Sequence, residues 1–346
     1  MMKLDADKHS INTLQVGRGM AALCVVLFHV NITLSLDKYL GQNIFPFFYA
    51  GGFAGVMYFF VLSGFVIYLA HHNDFNMTDG SRAALTRRFL WKRFQRIYPP
   101  IWAALLCVIP IGLFVFKNSL SFYAYISSAL LLPIENDHVL DVLWTLRHEV
   151  MFYALFALCL WKPIWGIVLG TVWLAGSVVQ PFLLPDYPWA FIVNHVHVLF
   201  IMGVAACWVY VHGQVKYPFV LLGLGAIIFA SAWWISQDQH ILNVAPLNLA
   251  YGIGATSMIL GGAVYERRTA LQLPRFLIFL GEASYSIYLV HFPVVSGWCK
   301  LAVHLNQMHI PVAILFFGGV IVAVGAGVVF HIMVEKPLMS VFKKRV

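Results

Sequence analysis

The sequence predicts an all-α polytopic membrane protein with about ten transmembrane helices, a short re-entrant or interfacial segment near 120–133, and both termini cytoplasmic. Three observations carry this. Of 346 residues, 61% are hydrophobic and 10% charged, with a mean hydropathy of +0.81; no soluble domain of this length sustains that composition. Apolar runs of about span length recur from one end of the chain to the other. The basic residues gather in alternate connections, as the positive-inside bias requires. No internal repeat and no long polar stretch interrupts the pattern, so residues 1–346 read as a single integral-membrane domain.

The net charge of +8 fits that same loop bias, so no nucleic-acid partner is expected. Cys24, Cys107, Cys159, Cys207 and Cys299 all fall inside apolar runs. They read as small core residues rather than disulfides or metal ligands. The polar start MMKLDADKHS leads into a span without a clear cleavage site, which reads as retained.

The apolar runs cover 14–35, 48–70, 97–116, 120–133, 143–161, 164–182, 190–211, 217–236, 247–265, 275–298 and 310–334. The segment 120–133 is the exception: as a helix it would be about 21 Å long against a hydrocarbon core of about 30 Å. Arg82, Arg87, Arg88, Lys92, Arg93 and Arg96 lie in the connection 71–96, which is therefore cytoplasmic. If 120–133 does not span, Glu266-Arg267-Arg268, Arg275 and the tail Lys343-Lys344-Arg345 also fall inside, and acidic 135–141 and Asp186 fall outside.

The first span, in GRGMAALCVVLFH, holds Arg18 and His29 eleven residues apart, about three turns and so nearly one face. Ionisable groups inside a membrane cost roughly 2.5–3.5 kcal/mol each and mark functional interiors. The second span contains FFVLSGF, where Ser63-Gly64 and the Gly51/Gly55 stripe read chiefly as close helix packing. FLWKRFQRIYPP opens the third span, with Pro99-Pro100 at the helix start. It reads equally as a topology anchor and as a phosphate funnel, with Arg18 entering from the same side.

In LWTLRHEVMFY, Glu149 needs a buried partner, and Arg147 and His148 are its nearest candidates in sequence. His195 and His197 have i,i+2 spacing, which splits them across helix faces and argues against a metal site; no metal is expected. These two and His331 read as struts. In GEASYSIYLVHFPV, His291 precedes Pro293 and reads as a strut or as a site residue. Counting along the helices puts His29, Glu149 and His291 at similar depths, where a carboxylate would orient an imidazole base.

Together these segments resemble the acyltransferase-3 family of membrane O-acyltransferases, in family order: GRGMAALCVVLFH, FFVLSGF, FLWKRFQRIYPP, LWTLRHEVMFY, GEASYSIYLVHFPV and the closing VEKP. One departure is Leu85, four residues before Phe89, where some family patterns carry Arg. The resemblance implies transfer of an acyl group, most often acetyl, from acyl-CoA to a hydroxyl of an exopolysaccharide, O-antigen or related glycan, free or lipid-linked. It implies His29 and Glu149 as catalytic residues and Arg18, Arg88, Arg93 and Arg96 as the acyl-CoA site. Trp144, Tyr153, Tyr285, His291 and Ser63 are then acceptor-side residues. Acyl-CoA is a co-substrate, no permanently bound cofactor is expected, and the setting is the bilayer of a bacterial inner membrane. The competing class is a transporter or flippase for a glycan or anionic solute, for which paired broken helices would be the mark.

Overall fold

A computed structural model describes residues 11–42, 44–76, 79–111, 121–134, 139–237, 244–269 and 271–343. The polar start of the chain, most of the acidic stretch 135–141, and Lys344 and Arg345 of the tail lie outside the described residues.

Every regular element among the described residues is helical. The order is α1 (Asn12–Leu34), α2 (Gly51–His71), α3 (Asp79–Ile111), α4 (Phe122–Leu130), α5 (Leu143–Trp161), α6 (Pro163–Leu183), α7 (Trp189–Ile192), α8 (His197–His212), α9 (Pro218–Ile235), α10 (Ala245–Thr269), α11 (Arg275–Gln307), α12 (Val312–Phe330), a π turn (His331–Glu335) and α13 (Lys336–Lys343). Nine helical stretches among the described residues are long and apolar enough to cross a bilayer. The chain is a multi-pass membrane protein.

The predicted tenth span, 97–116, begins on the second half of α3 and runs on outside the described residues. The first half of α3 carries its arginines, so hydropathy alone does not mark it as helix. Here the structure corrects the sequence: the helix starts at Asp79, and Pro99-Pro100 lie well inside it rather than at its start. Prolines are tolerated within membrane helices, and just before them the Tyr285 hydroxyl ties α11 to α3 by donating to the Ile97 carbonyl at 3.0 Å.

The short segment is α4, nine residues long, or about 14 Å, too short to span. The Ser121 side chain caps its start by accepting the Ala124 N–H. Trp102 Nε1 donates to the Ala129 carbonyl at 2.9 Å, which holds α4 against α3.

Basic side chains collect at one end of the bundle. Arg82 donates to the carbonyls of Phe75 and Leu160, joining the end of α2, the start of α3 and the end of α5. Glu266 at the end of α10 accepts the N–H groups of Asn12 and Thr13 at 2.8 and 2.7 Å. That carboxylate satisfies orphan donors at the start of α1 and favours its positive dipole end. Arg268 donates to Val215 and Lys216 in the α8–α9 connection.

The rim is formed by α6 and α9, whose apolar stretches are each only 17% buried. Bulky side chains such as Ile164, Phe182, Phe219 and Ile227 point outward from it. The interior belongs to α1, α2, α5, α10 and α11. Within it, α1 and α11 run side by side in one direction. A Cβ on Gly281 would lie 1.9 Å from the Gln15 carbonyl oxygen, and one on Gly19 would lie 3.0 Å from the Gly281 nitrogen. The backbones therefore touch there, and ten residues further along each helix His29 meets His291.

Candidate active site

Two cavities lie back to back in this interior. The inner one holds about 160 Å³ and is lined by Arg18, Ser63, Arg93, Arg96, Glu149, Tyr153 and Tyr285 among others. The outer one holds about 440 Å³ and is lined by Phe28, His29, Phe53, Asp141 and Trp144 among others. Val56 and Tyr288 line both, so they form the wall between them. Thr145 stiffens that wall: its hydroxyl lies 2.7 Å from that of Tyr288, and both point at the Val142 carbonyl, at 2.9 and 3.2 Å.

In the inner cavity, Arg96 forms an ion pair with Glu335, which is 1% exposed in the π turn. Ser286 donates to the other carboxylate oxygen at 2.6 Å, and His331 Nδ1 contacts it at 2.7 Å. The Arg96 guanidinium also stacks on the Tyr285 ring at 4.9 Å. Arg93 lies over the rings of Phe89 and Tyr153. Neither Arg18 nor Arg93 forms an ion pair among the described residues. Two guanidiniums are thus left to meet an anion, while the third is held by its own carboxylate.

Glu149 accepts from Ser63 Oγ at 3.0 Å and from the Tyr153 hydroxyl. It does not pair with Arg147 or His148, which precede it. Neighbours in a helix diverge by about 100°, whereas Tyr153 at i+4 shares its face. Arg147 instead donates to the Ile134 carbonyl, and His148 Nδ1 lies 2.8 Å from His197 Nε2. His195 turns to Gln180 and Asn248, so it and His197 serve different partners.

The outer cavity holds the imidazole chemistry. His291 Nδ1 lies 2.7 and 3.1 Å from the carbonyls of Tyr288 and Ile287. A carbonyl only accepts, so in the neutral ring Nδ1 carries the proton and Nε2 is a lone pair. That lone pair faces His29 Nδ1 at 3.1 Å, and the Val25 carbonyl faces the same nitrogen at 2.9 Å. His29 Nδ1 is then protonated as well, and His29 Nε2 is left as a free acceptor on a residue lining the cavity.

This geometry is that of an oriented base, and the chain-wide comparison gives its context. The acyltransferase domain family, acyltransferase-3, matches residues 11–331. The chain belongs to the acyltransferase-3 family. It is also 29% identical over 312 residues to the exopolysaccharide production protein ExoZ of Rhizobium meliloti (strain 1021), covering 83% of this chain and 90% of that one. No solved structure matches the chain.

Within this acyltransferase-3 chain, the predicted site residues divide. Arg18, Arg93, Arg96, Ser63, Glu149, Tyr153 and Tyr285 line the inner cavity, while His29 and Trp144 line the outer one. His291 is fully buried behind His29. Arg88 is exposed on α3 and lines neither cavity. The side chain in contact with His29 is His291 and not the expected Glu149, which lies on the other side of the Tyr288 wall. Tyr288, Thr145 and Asp141 were not singled out from the sequence. Tyr288 sits one turn before His291 and Asp141 one turn before Trp144, which is the signal that marks them.

Proposed function

We propose that this membrane acyltransferase moves an acyl group, acetyl in the first instance, from acyl-CoA to a hydroxyl of a bacterial exopolysaccharide. The inner membrane is its setting, with the basic end of the bundle and both termini on the cytoplasmic side. The observation that carries this reading is the placement of His29. Its unprotonated Nε2 belongs to the outer cavity, and one tyrosine-thick wall separates that cavity from the arginine-lined one. The exopolysaccharide acceptor is suggested by the name of the Rhizobium relative.

The donor enters from the basic end. Its phosphates meet Arg18 and Arg93, with Arg96 beside them. A cavity of about 160 Å³ is close to the roughly 150 Å³ that accommodates a benzene-sized guest, so it takes the phosphates but not the whole nucleotide, and the thin pantetheine arm must pass Val56 and Tyr288 to bring the thioester to His29. The acceptor hydroxyl enters the outer cavity, and His29 Nε2 removes its proton as the oxygen attacks the thioester carbonyl. Collapse of the tetrahedral adduct forms the ester and breaks the carbon–sulfur bond. The departing thiolate takes the proton from His29, leaving CoA as the thiol. His291 keeps the His29 Nδ1 proton in place and so keeps Nε2 basic.

The test is label transfer from radiolabelled acetyl-CoA to exopolysaccharide by purified protein. Transfer by wild type that is lost in His29→Ala supports the reading. Movement of glycan across proteoliposomes without acylation overturns it in favour of a transporter.

A further inference from the structure

The outer cavity has a recognition chemistry of its own. At about 440 Å³ it falls within the roughly 300–1,000 Å³ of small-molecule sites. Its lining joins Phe28, Phe53, Trp144 and the shared Tyr288 with one carboxylate, Asp141, and among the described residues includes no lysine or arginine. The inner cavity, by contrast, is lined by three arginines. The Trp144 indole is held edge-on by Phe60 and His148, with ring centroids 6.3 and 5.8 Å away. Asp141 is solvent-exposed.

A pyranose presents two surfaces, a flat face of C–H groups and a rim of hydroxyls. An aromatic plane takes the first, and a carboxylate accepts from hydroxyls on the second through charge-assisted hydrogen bonds. A uronic acid or a phosphorylated sugar would bring an anion to a cavity whose described lining offers no lysine or arginine and already holds one carboxylate.

We infer that the outer cavity is the acceptor subsite and that it selects uncharged pyranose residues. Trp144 is its stacking platform, and Asp141 is both its hydroxyl acceptor and its filter against acidic sugars. The fate of the bound hydroxyl rests on the acyl-transfer reading; the binding does not.

Binding is therefore measured without the donor. Wild type, Asp141→Asn and Trp144→Ala, each checked for helical circular dichroism and elution volume, are titrated in nanodiscs with a neutral gluco-oligosaccharide and with an oligogalacturonide. Wild type is expected to bind the neutral probe about tenfold more tightly, as like-charge repulsion at a partly wetted mouth requires. Asp141→Asn narrows that ratio to within about threefold by admitting the acidic probe, and Trp144→Ala weakens the neutral probe about tenfold, the loss expected of an aromatic platform. Absence of neutral-probe binding in wild type, an unchanged ratio in Asp141→Asn, or full neutral binding in Trp144→Ala each overturns the inference. Label transfer decides the other reading separately. Discrimination between glycans without transfer sinks the acyltransferase reading alone, and transfer without discrimination sinks the subsite alone.

Discussion

His29 Nδ1 and His291 Nε2 lie 3.1 Å apart, joining two helices whose glycines Gly19 and Gly281 touch ten residues earlier. The two contacts share one sequence offset, so the parallel packing of α1 on α11 sets the histidine pair. Loss of the base itself, His29→Ala, is expected to lower kcat by about 10²–10⁴-fold. His291→Ala leaves the base in place but removes the acceptor that fixes its proton, so its kcat loss is smaller than that of His29→Ala. In both variants the donor KM stays near wild type. Wild-type kcat in His291→Ala would refute the orienting role.

Gly297, on the same helix as Gly281, faces open space instead of α1. A Cβ on Gly281 would meet the Gln15 carbonyl at 1.9 Å, whereas one on Gly297 would meet nothing within 4 Å. Gly281→Ala must push α1 and α11 apart, an overpacking cost of about 1–3 kcal/mol, and with them the histidines. Gly297→Ala should be neutral or stabilising by up to about 1 kcal/mol, the helix-propensity gain over glycine. Thermal unfolding in detergent and kcat together check this; equal behaviour of the two variants would refute it.

The spans were legible because hydropathy marks what faces lipid, and α4 was legible because length is arithmetic. The start of α3 was not, since residues 79–96 are too basic to read as apolar. Counting along each helix put His29, Glu149 and His291 at one level, but Glu149 lines the inner cavity with Arg18 while His29 lines the outer one, beyond Tyr288. Such counting also gives no rotation about the helix axis, so it did not say which pair would meet. The i+4 partner of Glu149, Tyr153, follows from helical spacing. Ser63, from another helix, follows only from packing. The outer wall formed by Tyr288 had no signature beyond its place one turn before His291.

Glu335 and Arg96 form a buried ion pair braced by Ser286 and His331. Removing one partner leaves an uncompensated charge, which costs about 3–5 kcal/mol. Glu335→Ala and Arg96→Ala should each show that loss. The double variant should be less destabilised than their sum, because the second removal relieves the charge orphaned by the first. A double-mutant cycle from unfolding midpoints measures it, and simple additivity would rule out the coupling.

Glu149 ties α2 to α5 through Ser63 and accepts a second hydrogen bond from Tyr153 on its own helix. Glu149→Gln keeps an acceptor oxygen for those hydroxyls. Glu149→Ala orphans two donors, the buried Tyr153 and the half-buried Ser63, at up to roughly 1–3 kcal/mol each. The alanine variant should therefore unfold at a clearly lower temperature than the glutamine one. Equal midpoints would mean that these two hydrogen bonds contribute nothing to stability.

Arg18 and Arg93 reach the inner cavity without a carboxylate partner of their own, unlike Arg96. If they receive the donor phosphates, Arg18→Gln and Arg93→Gln should raise the acyl-CoA KM and leave the glycan KM unchanged. Each should also flatten the dependence of donor affinity on ionic strength, because one screened attraction is gone. Arg96→Gln behaves differently: its charge is already met by Glu335, so its main effect is on stability. The KM of acyl-CoA measured across a salt series separates these cases. A salt slope unchanged in both Arg18→Gln and Arg93→Gln would place the phosphates elsewhere.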